Sequence, residues 1–584
     1  MEQIKIRSYS INFNKFEEVR IGNNIFFMLF KRWSGKDDIG TDIIKAMMPA
    51  DEEKALNICL NGIEIDNVMY KPYLATPSQM KKEEFGEKCE FWFIRNDLYD
   101  EFINYFENEI SLCKIKDIKA QEKMCINKSL TSRLALAFSS VTPILHKQIV
   151  NDNGDLEEVE FIPRICVVNN KKEYVKTSVV KPILDSDYNI NLIEEDIIKT
   201  ITAHDGFGLM TPECADAIKY SFNLDYNVDY AVIRLFNGLM GKGLLLKFSW
   251  CEYLESYIFK DDNYTKKYET ANKYLVIDAF GNEVDLRNYD IILTTSQIKW
   301  FDYWLGTTEK ERTKLLSNTI NCDLLNKLYV TKINKPHAKK MSQTNYQLLS
   351  NLCLTFDELR ELGKESYDFY ESILNNDLDS IKYMLRDFQK KKCVNNEEEN
   401  ENITEQVEMD DEIIEEELLN EIEDILQPST KAEWLLNYNQ DFKFKAVIDM
   451  IKNLVLKKIC DMSAGKIYVD GSYKLIVGDP IKLINSILNI DKKFDKYSLD
   501  EHEFFIPKCY DKDLVISRNP LASPLEILKI KTLKKTVKNL NYDYKDNLKL
   551  EVFNKYFGNY SNEIIIFNAV EDSLDVLSGA DEDG

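Results

Sequence analysis

Histidine is scarce: the 584 residues include only His146, His204, His337 and His502, which argues against a histidine-rich metal centre. No C-x-x-C occurs, and the nearest cysteine pair, Cys113 and Cys125, lacks metal-ligand spacing. A zinc ribbon built from local pairs is excluded, and the 12 cysteines read as buried thiols of a reducing cytoplasm. No run approaches the roughly 18 apolar residues of a transmembrane helix. The first residues, MEQIKIRSYSINF, lack the charged-then-apolar order of a signal peptide. A cytoplasmic protein with no membrane partner is expected. No fixed-period repeat is present, which sets aside solenoids and propellers.

What is present is ample apolar material, 44% of residues, enough for packed cores and about three or four domains. The net charge of −24 is concentrated: the stretch from Glu397 to Asp424 holds 15 acidic residues and no Lys or Arg. Without it the remainder carries −9, so global acidity does not exclude a nucleic-acid partner.

The pattern divides the chain into an N-terminal mixed α/β region (1–125), a β-rich region (126–307), a helical connector (308–393), an acidic insert (394–427) and a second β-rich region (428–584). In the first region Asn24 to Phe30 and Phe91 to Ile94 read as strands, and Leu98 to Phe106 as helix. In the connector, Thr355 with Glu358 matches a capping box. The insert is expected to be disordered in its first half, with 395–411 dispensable. Its second half could form an amphipathic helix through Ile413, Ile414, Leu418, Ile422 and Ile425. Lys466 to Val469 and Tyr473 to Val477, separated by Asp470-Gly471, read as a hairpin, because Asp-Gly suits the positive φ angles of a type I′ turn.

Four segments could carry chemistry, and each has an ordinary structural alternative. SGADEDG (578–584) follows the strand-like IIIFNA. Taken alone it is most simply a solvated acidic tail. It fails the EF-hand pattern, because Gly579 stands where an acid is needed. Alternate carboxylates on a tight turn can nevertheless grip Mg²⁺ through oxygen. LFNGLMGKGLLLKF places Lys242 between Gly241 and Gly243, with Arg234 on the preceding strand. It is either a turn lysine or a cation reaching a phosphate, and it does not meet the P-loop pattern. Arg518 lies in VISRNPLASPLEI, an irregular loop held by prolines. HDGFGLMTPECADAI leads through a glycine turn to Thr211-Pro212, a helix start.

In order, these segments resemble the cellular, two-barrel RNA-dependent RNA polymerases of RNA silencing. YLATPSQMKK with FWFI (Tyr73 to Ile94) resembles the family's Ser-Gln-Met/Leu stretch before Trp-Phe. SRLALAFSS (Ser132 to Ser140) resembles Arg-x-Gly-x-x-Phe-Ser-Ser, with Ala135 for glycine. DGFGLMTPECA (Asp205 to Ala215) resembles Asp-Gly-x-Gly-x-[Ile/Leu]-Ser. IRLFNGLMGKG (Ile233 to Gly243) resembles Ile-Arg-Tyr-Gly-Gly-x-Lys-Gly, lengthened by about two residues. TTSQIKW (Thr294 to Trp300) resembles Ser-Met-x-Lys-Phe. RNPLASP (Arg518 to Pro524) resembles Arg-Asn-Pro-x-x-His-Pro, with Ser523 for histidine. SGADEDG resembles Ser-Gly-Ser-Asp-x-Asp-Gly-Asp and stops one residue short of the third aspartate.

The resemblance implies an α+β fold with two double-psi β-barrels, the second incomplete, joined by a helical connector. It implies ribonucleotide addition to an RNA 3′-hydroxyl with two Mg²⁺ ions, Mn²⁺ being an alternative. Asp581 and Asp583 would be catalytic metal ligands, and Lys242 a catalytic cation facing them across one cleft. Arg234 and Arg518 would contact phosphate or sugar. Partners would be nucleoside triphosphates and an RNA template. The alternatives are a DNA template, as in related phage enzymes, or a non-catalytic or split scaffold that binds nucleic acid. The Lys-, Asn- and Ile-rich composition points to a bacterial or phage-like member. The missing aspartate implies that a second chain or a further C-terminal part completes the site, and that this piece is inactive alone. The basic runs Lys529, Lys531, Lys534, Lys535, Lys538 and Lys332, Lys335, His337, Lys339, Lys340 are either backbone-tracking grooves or solvated faces.

Overall fold

A computed structural model of the protein describes residues 3–10, 15–47, 52–75, 81–83, 86–88, 90–111, 134–150, 156–184, 190–236, 241–260, 273–299, 301, 324–325, 327–335, 341–375, 377, 380–381, 445–491, 494–521, 523–538, 544–561, 563–577 and 579–580. The acidic insert, His337, Lys339, Lys340 and residues 581–584 lie outside them. The chain is a mixed α+β structure. Among the described residues no helix is long and apolar enough to cross a membrane.

The N-terminal region is a six-stranded sheet in the order 15–22, 3–10, 43–47, 90–95, 68–75, 63–65. The segment expected as a strand from Asn24 is instead the helix Ile25–Ser34. Its cap decides this: the Asn24 side chain accepts from Phe27 N at 2.9 Å, and Gly35 closes the helix at φ 66°. Ile25, Phe26, Phe27, Leu29 and Phe30 are all buried, so the run shows no polar face from which a helical period could be read.

A seven-stranded sheet follows, in the order 165–168, 291–294, 207–210, 241–247, 230–235, 328–333, 142–144. Strand Leu328–Ile333 falls where helix was expected. It pairs with Tyr230–Leu235, and among the described residues of the connector the first helix is Tyr346–Asn351. The capping box at Thr355 forms, with Glu358 N donating to Thr355 Oγ1 at 3.4 Å.

The sheet is buried on both faces, which explains strands that read as continuous apolar runs. Tyr230, Val232, Leu244 and Leu246 pack into one cluster, which also takes in Leu475, Val477, Ile564 and Ile566 of the C-terminal half. Ala231, Ile233, Leu235 and Leu245 point into another.

The hairpin expected around Asp470-Gly471 does not form. Tyr468–Asp470 pairs with Met341–Gln343, while Leu475–Gly478 runs parallel to Ile564–Phe567. Neither Asp470 nor Gly471 adopts the positive φ a type I′ turn requires. Ile564–Phe567 is buried at all four positions, so pairing with it hides far more apolar surface than a local hairpin would.

The cysteines are not uniformly buried: Cys59, Cys353 and Cys460 are exposed. A ribbon of two 13-residue strands, Lys172–Leu184 and Ile190–Thr202, was not expected from the sequence.

Candidate active site

Three of the sequence segments meet in one packed unit. Gly206, at φ 80°, turns the chain into strand Phe207–Met210, which runs parallel to Gly241–Lys247. Leu244 N donates to Gly206 O at 3.1 Å, and Gly206 N donates to Ser296 Oγ at 2.8 Å. The buried Gln297 side chain accepts from Thr294 N at 3.0 Å and donates to Leu244 O at 3.1 Å. It fits only because two neighbours are glycine. A Cβ on Gly243 would lie 2.3 Å from Gln297 Nε2 and 2.6 Å from Gly206 O. One on Gly208 would lie 2.5 Å from Ile292 O.

On this frame Lys242 and Arg234 are brought together. Lys242 was read as a turn residue, but it lies in strand Gly241–Lys247, in register directly opposite Arg234. Side chains alternate along a strand, so Arg234 shares a face with Tyr230 and Val232, and Lys242 with Leu244 and Leu246. That is the face packed against the C-terminal half. Arg234 is buried at 3% exposure, with Nη1 donating to Ile233 O at 2.9 Å, and Lys242 is half-buried.

The junction with the C-terminal half is polar as well as apolar. His204, which precedes the glycine turn, adopts φ 57° and donates from Nε2 to Asp479 O at 3.0 Å. Burial pushes the imidazole down to about 4, so it is neutral near pH 7. Asp479 is fully buried and caps helix Pro480–Ile487. It accepts from Ile481 N at 2.9 Å, Lys482 N at 3.1 Å and Leu499 N at 2.6 Å. Burial lifts its carboxyl to about 7, against the downward pull of those amides. Sequence reading singled out neither Asp479 nor this bond. Its only local signal was Asp-Pro before an apolar run.

The acidic segment grows from the sheet of the C-terminal half. After strand Ile564–Phe567 the chain turns through Asn568, whose Oδ1 accepts from Lys482 Nζ at 2.5 Å, to the short helix Ser573–Val576. Gly579, at φ 65°, donates to Asp575 O at 3.2 Å, and Ala580 to Leu574 O at 2.9 Å. Ala580 is buried with Phe504, Ile565 and Phe567. The next residues, Asp581 to Asp583, lie outside the described residues. Their donor set is three carboxylates, hard oxygen ligands that suit Mg²⁺ or Mn²⁺. Among the described residues no cluster of three His, Cys, Asp or Glu is placed to hold a metal.

Arg518 is exposed, in the loop after strand Asp513–Ile516. Of the basic runs, Lys529 and Lys531 lie exposed on a strand, with Ile530 buried between them. Desolvation raises the pKa of the half-buried Glu563 carboxyl, with the nearby Lys335 and Lys332 opposing the rise, and Lys335 N donates to Glu563 Oε2 at 2.9 Å. These two lysines serve the junction between halves.

No family model and no curated protein matches the chain. Among solved structures it is similar to an RNA-dependent RNA polymerase QDE-1 from Thielavia terrestris, at 15% identity and a TM-score of 0.48. The match covers 100% of this chain and 52% of that one, so the chain spans about half the length of that structure.

Proposed function

We propose that the chain is the two-barrel core of a template-directed RNA polymerase that adds ribonucleotides to an RNA 3′-hydroxyl, with RNA the favoured template. In this reading the seven-stranded sheet and the C-terminal sheet belong to two double-psi barrels. The observation that carries the reading is the cross-strand pair Arg234 and Lys242, on the sheet face turned towards the half from which the acidic loop grows. Two cations side by side raise the positive potential of one face and favour a polyanion such as a triphosphate.

Asp581 and Asp583 would hold two Mg²⁺ ions, or Mn²⁺ in their place. Bound there, the metal would lower the pKa of the attacking hydroxyl and neutralise phosphate charge. The protein's own share is positioning and charge. Lys242 would bind the triphosphate on the side opposite the carboxylates. Arg234, fixed by its bond to Ile233 O, would hold a second phosphate or sugar oxygen. Arg518 would contact phosphate from its loop. The glycine-packed unit of Gly206, Gly243 and Gln297 keeps Lys242 in register.

The test is ribonucleotide incorporation by the natural polypeptide on RNA and DNA templates. Asp581→Ala and Asp583→Ala should abolish it while template binding persists, because binding rests on backbone contacts elsewhere. Incorporation at the wild-type rate by Asp583→Ala would sink the reading. A preference for DNA templates would move it to the DNA-copying relatives.

A further inference from the structure

The connector carries an exposed apolar stripe. Helices Phe356–Leu362 and Lys364–Leu374 form one nearly continuous rod. Gly363 between them stays in the right-handed helical region, and the backbone ladder runs through it. Gly363 N donates to Leu359 O at 2.9 Å, and Tyr367 N donates to Gly363 O at 3.0 Å. Each helical residue advances by about 100°, so Phe356, Leu359, Tyr367 and Leu374 fall within an arc of about 80°. They are 80%, 41%, 60% and 52% exposed. The inner side of the rod is already engaged. Ser366, Tyr370 and Ile373 are buried, Ser366 Oγ accepts from Tyr468 N at 2.8 Å, and the second helix packs on helix Lys445–Ser463. A single exposed leucine needs no explanation, but four large apolar side chains aligned over about 27 Å of helix mark an interaction surface.

The flank of the stripe is acidic. Between Phe356 and Leu374 stand six acids against two bases, a net charge of −4, and all six acids are exposed. Asp357 and Glu358 suit the helix N-terminus, where the dipole favours negative charge. Asp368 and Glu371 lie well past it, and the dipole disfavours Glu371 in the last turn. The charge selects among occupants. A second copy of the chain would set one acidic flank against another. The chain's own stretch from Glu397 to Asp424, with 15 acids and no Lys or Arg, would be repelled as well. Basic side chains beside an apolar seam would be attracted.

We propose that this stripe docks a basic amphipathic helix of a partner protein. The partner's apolar residues, spaced i, i+3 or i+4, and i+7, meet Phe356, Leu359, Tyr367 and Leu374, and its Lys or Arg side chains lie along the acidic flank. The surface is separate from the candidate active site, and the proposal does not rest on the polymerase reading.

The probe is a synthetic amphipathic peptide of about 18 residues, the length of the stripe, with Leu on one face and Lys on the other. A peptide of the same pattern with Glu for Lys is its control. Affinity and hydrogen exchange are measured on the full natural polypeptide and on a variant lacking 394–427, so that capture of the Lys peptide by that acidic stretch is not counted. The Lys peptide should slow exchange in 356–374 and bind at least about tenfold more tightly than the Glu peptide. Phe356→Ser combined with Tyr367→Ser should weaken it at least about tenfold, because exposed aromatic anchors dominate such interfaces. Glu361→Lys with Asp368→Lys and Glu371→Lys takes the rod from six acids and two bases to three and five, and should reverse the preference between the peptides. Affinity unchanged by the Phe356 and Tyr367 substitutions, protection outside 356–374, or equal affinity for both peptides would overturn the proposal. Self-association of the chain that those two substitutions abolish would make a second copy the occupant and overturn it too. So would exchange in 356–374 that quickens when 394–427 is deleted, since the chain's own segment would then be the occupant.

Discussion

At Gly243 a single hydrogen atom decides whether three strands can meet. A Cβ there would stand 2.6 Å from the backbone oxygen of Gly206, which cannot give way as a flexible side chain could. Gly243→Ala should cost about 1–3 kcal/mol, the usual range for overpacking a tight site. Urea unfolding would measure it, and an unchanged midpoint would contradict the packing. Lys242→Ala should behave in the opposite way. The residue is half-buried at the edge of the core, so its loss should slow nucleotide incorporation by one to two orders of magnitude, about 1.4–2.8 kcal/mol, with little change in unfolding. The glycines flanking Lys242 were visible in the sequence, and so was Arg234 on the strand before it. That Lys242 sits within the strand, opposite Arg234, was hidden by register, which only the partner strand sets.

The His204–Asp479 bond has its own pH signature, built from two opposing slopes. His204 has a folded pKa of about 4, below its ordinary value of 6.5. Between those values the unfolded chain binds more protons, so this residue makes stability rise with pH. Asp479 is lifted from 3.8 to about 7, with Asp495 adding to the rise and Lys482 opposing it. Over that window the folded state binds more protons, so this residue makes stability fall with pH. Together they flatten the profile from about pH 4 to 6.5. Asp479→Asn should unmask the rising slope, and His204→Gln the falling one. Chemical unfolding of the variants between pH 4.5 and 6.5 would show it, and slopes of the same sign would refute the arrangement.

Among the elements, local signals were reliable where the chain answers to itself. The Thr355 capping box and the Thr211-Pro212 helix start both form, because a cap uses atoms only three residues apart. Asn24 is a cap of the same kind, masked by the aromatic run after it. Its Nδ2 also donates to Phe138 O at 3.3 Å, tying the helix to a distant segment. Asn24→Ala should therefore cost about 1–2 kcal/mol, towards the upper end for a cap. Hydrogen exchange of 25–34 should quicken with it, whereas unchanged protection would mean that packing alone holds the helix. Sequence failed where elements answer to distant partners. Leu475–Gly478 chose Ile564–Phe567 over its neighbour across Asp470-Gly471, and Leu328–Ile333 became a strand because Tyr230–Leu235 offers it an edge. The long ribbon escaped notice because Tyr174, Lys176, Asp196 and Ile198 stand exposed in it together, with no clean apolar alternation to mark a face.

Over the whole molecule, the two halves share one interior. Phe207, Val232 and Leu244 of the seven-stranded sheet pack in the same cluster as Val477, Phe553 and Ile566 of the C-terminal half. Polar contacts close its rim: Tyr230 donates to Glu563 at 3.2 Å, Ser561 N to Asp229 at 2.7 Å, and Tyr560 to the carbonyl of Lys247 at 2.5 Å. A candidate site whose cations come from one half and whose acidic loop stems from the other can hold its spacing only if the halves do not slide. A continuous, close-packed core enforces this, because packed interiors shift between discrete arrangements rather than deform smoothly. Ile566→Ala removes a fully buried side chain from that shared core and should cost about 2–5 kcal/mol. The loss should appear in both halves at once. In a background whose other five tryptophans are replaced by phenylalanine, fluorescence follows Trp250, buried in this cluster, and hydrogen exchange of 475–478 follows the strand paired with 564–567. The two probes should move to the same lower denaturant midpoint. Separate midpoints, with Trp250 holding at its original value, would mean that the halves are independent domains and that the spacing of the site is set by something other than the core.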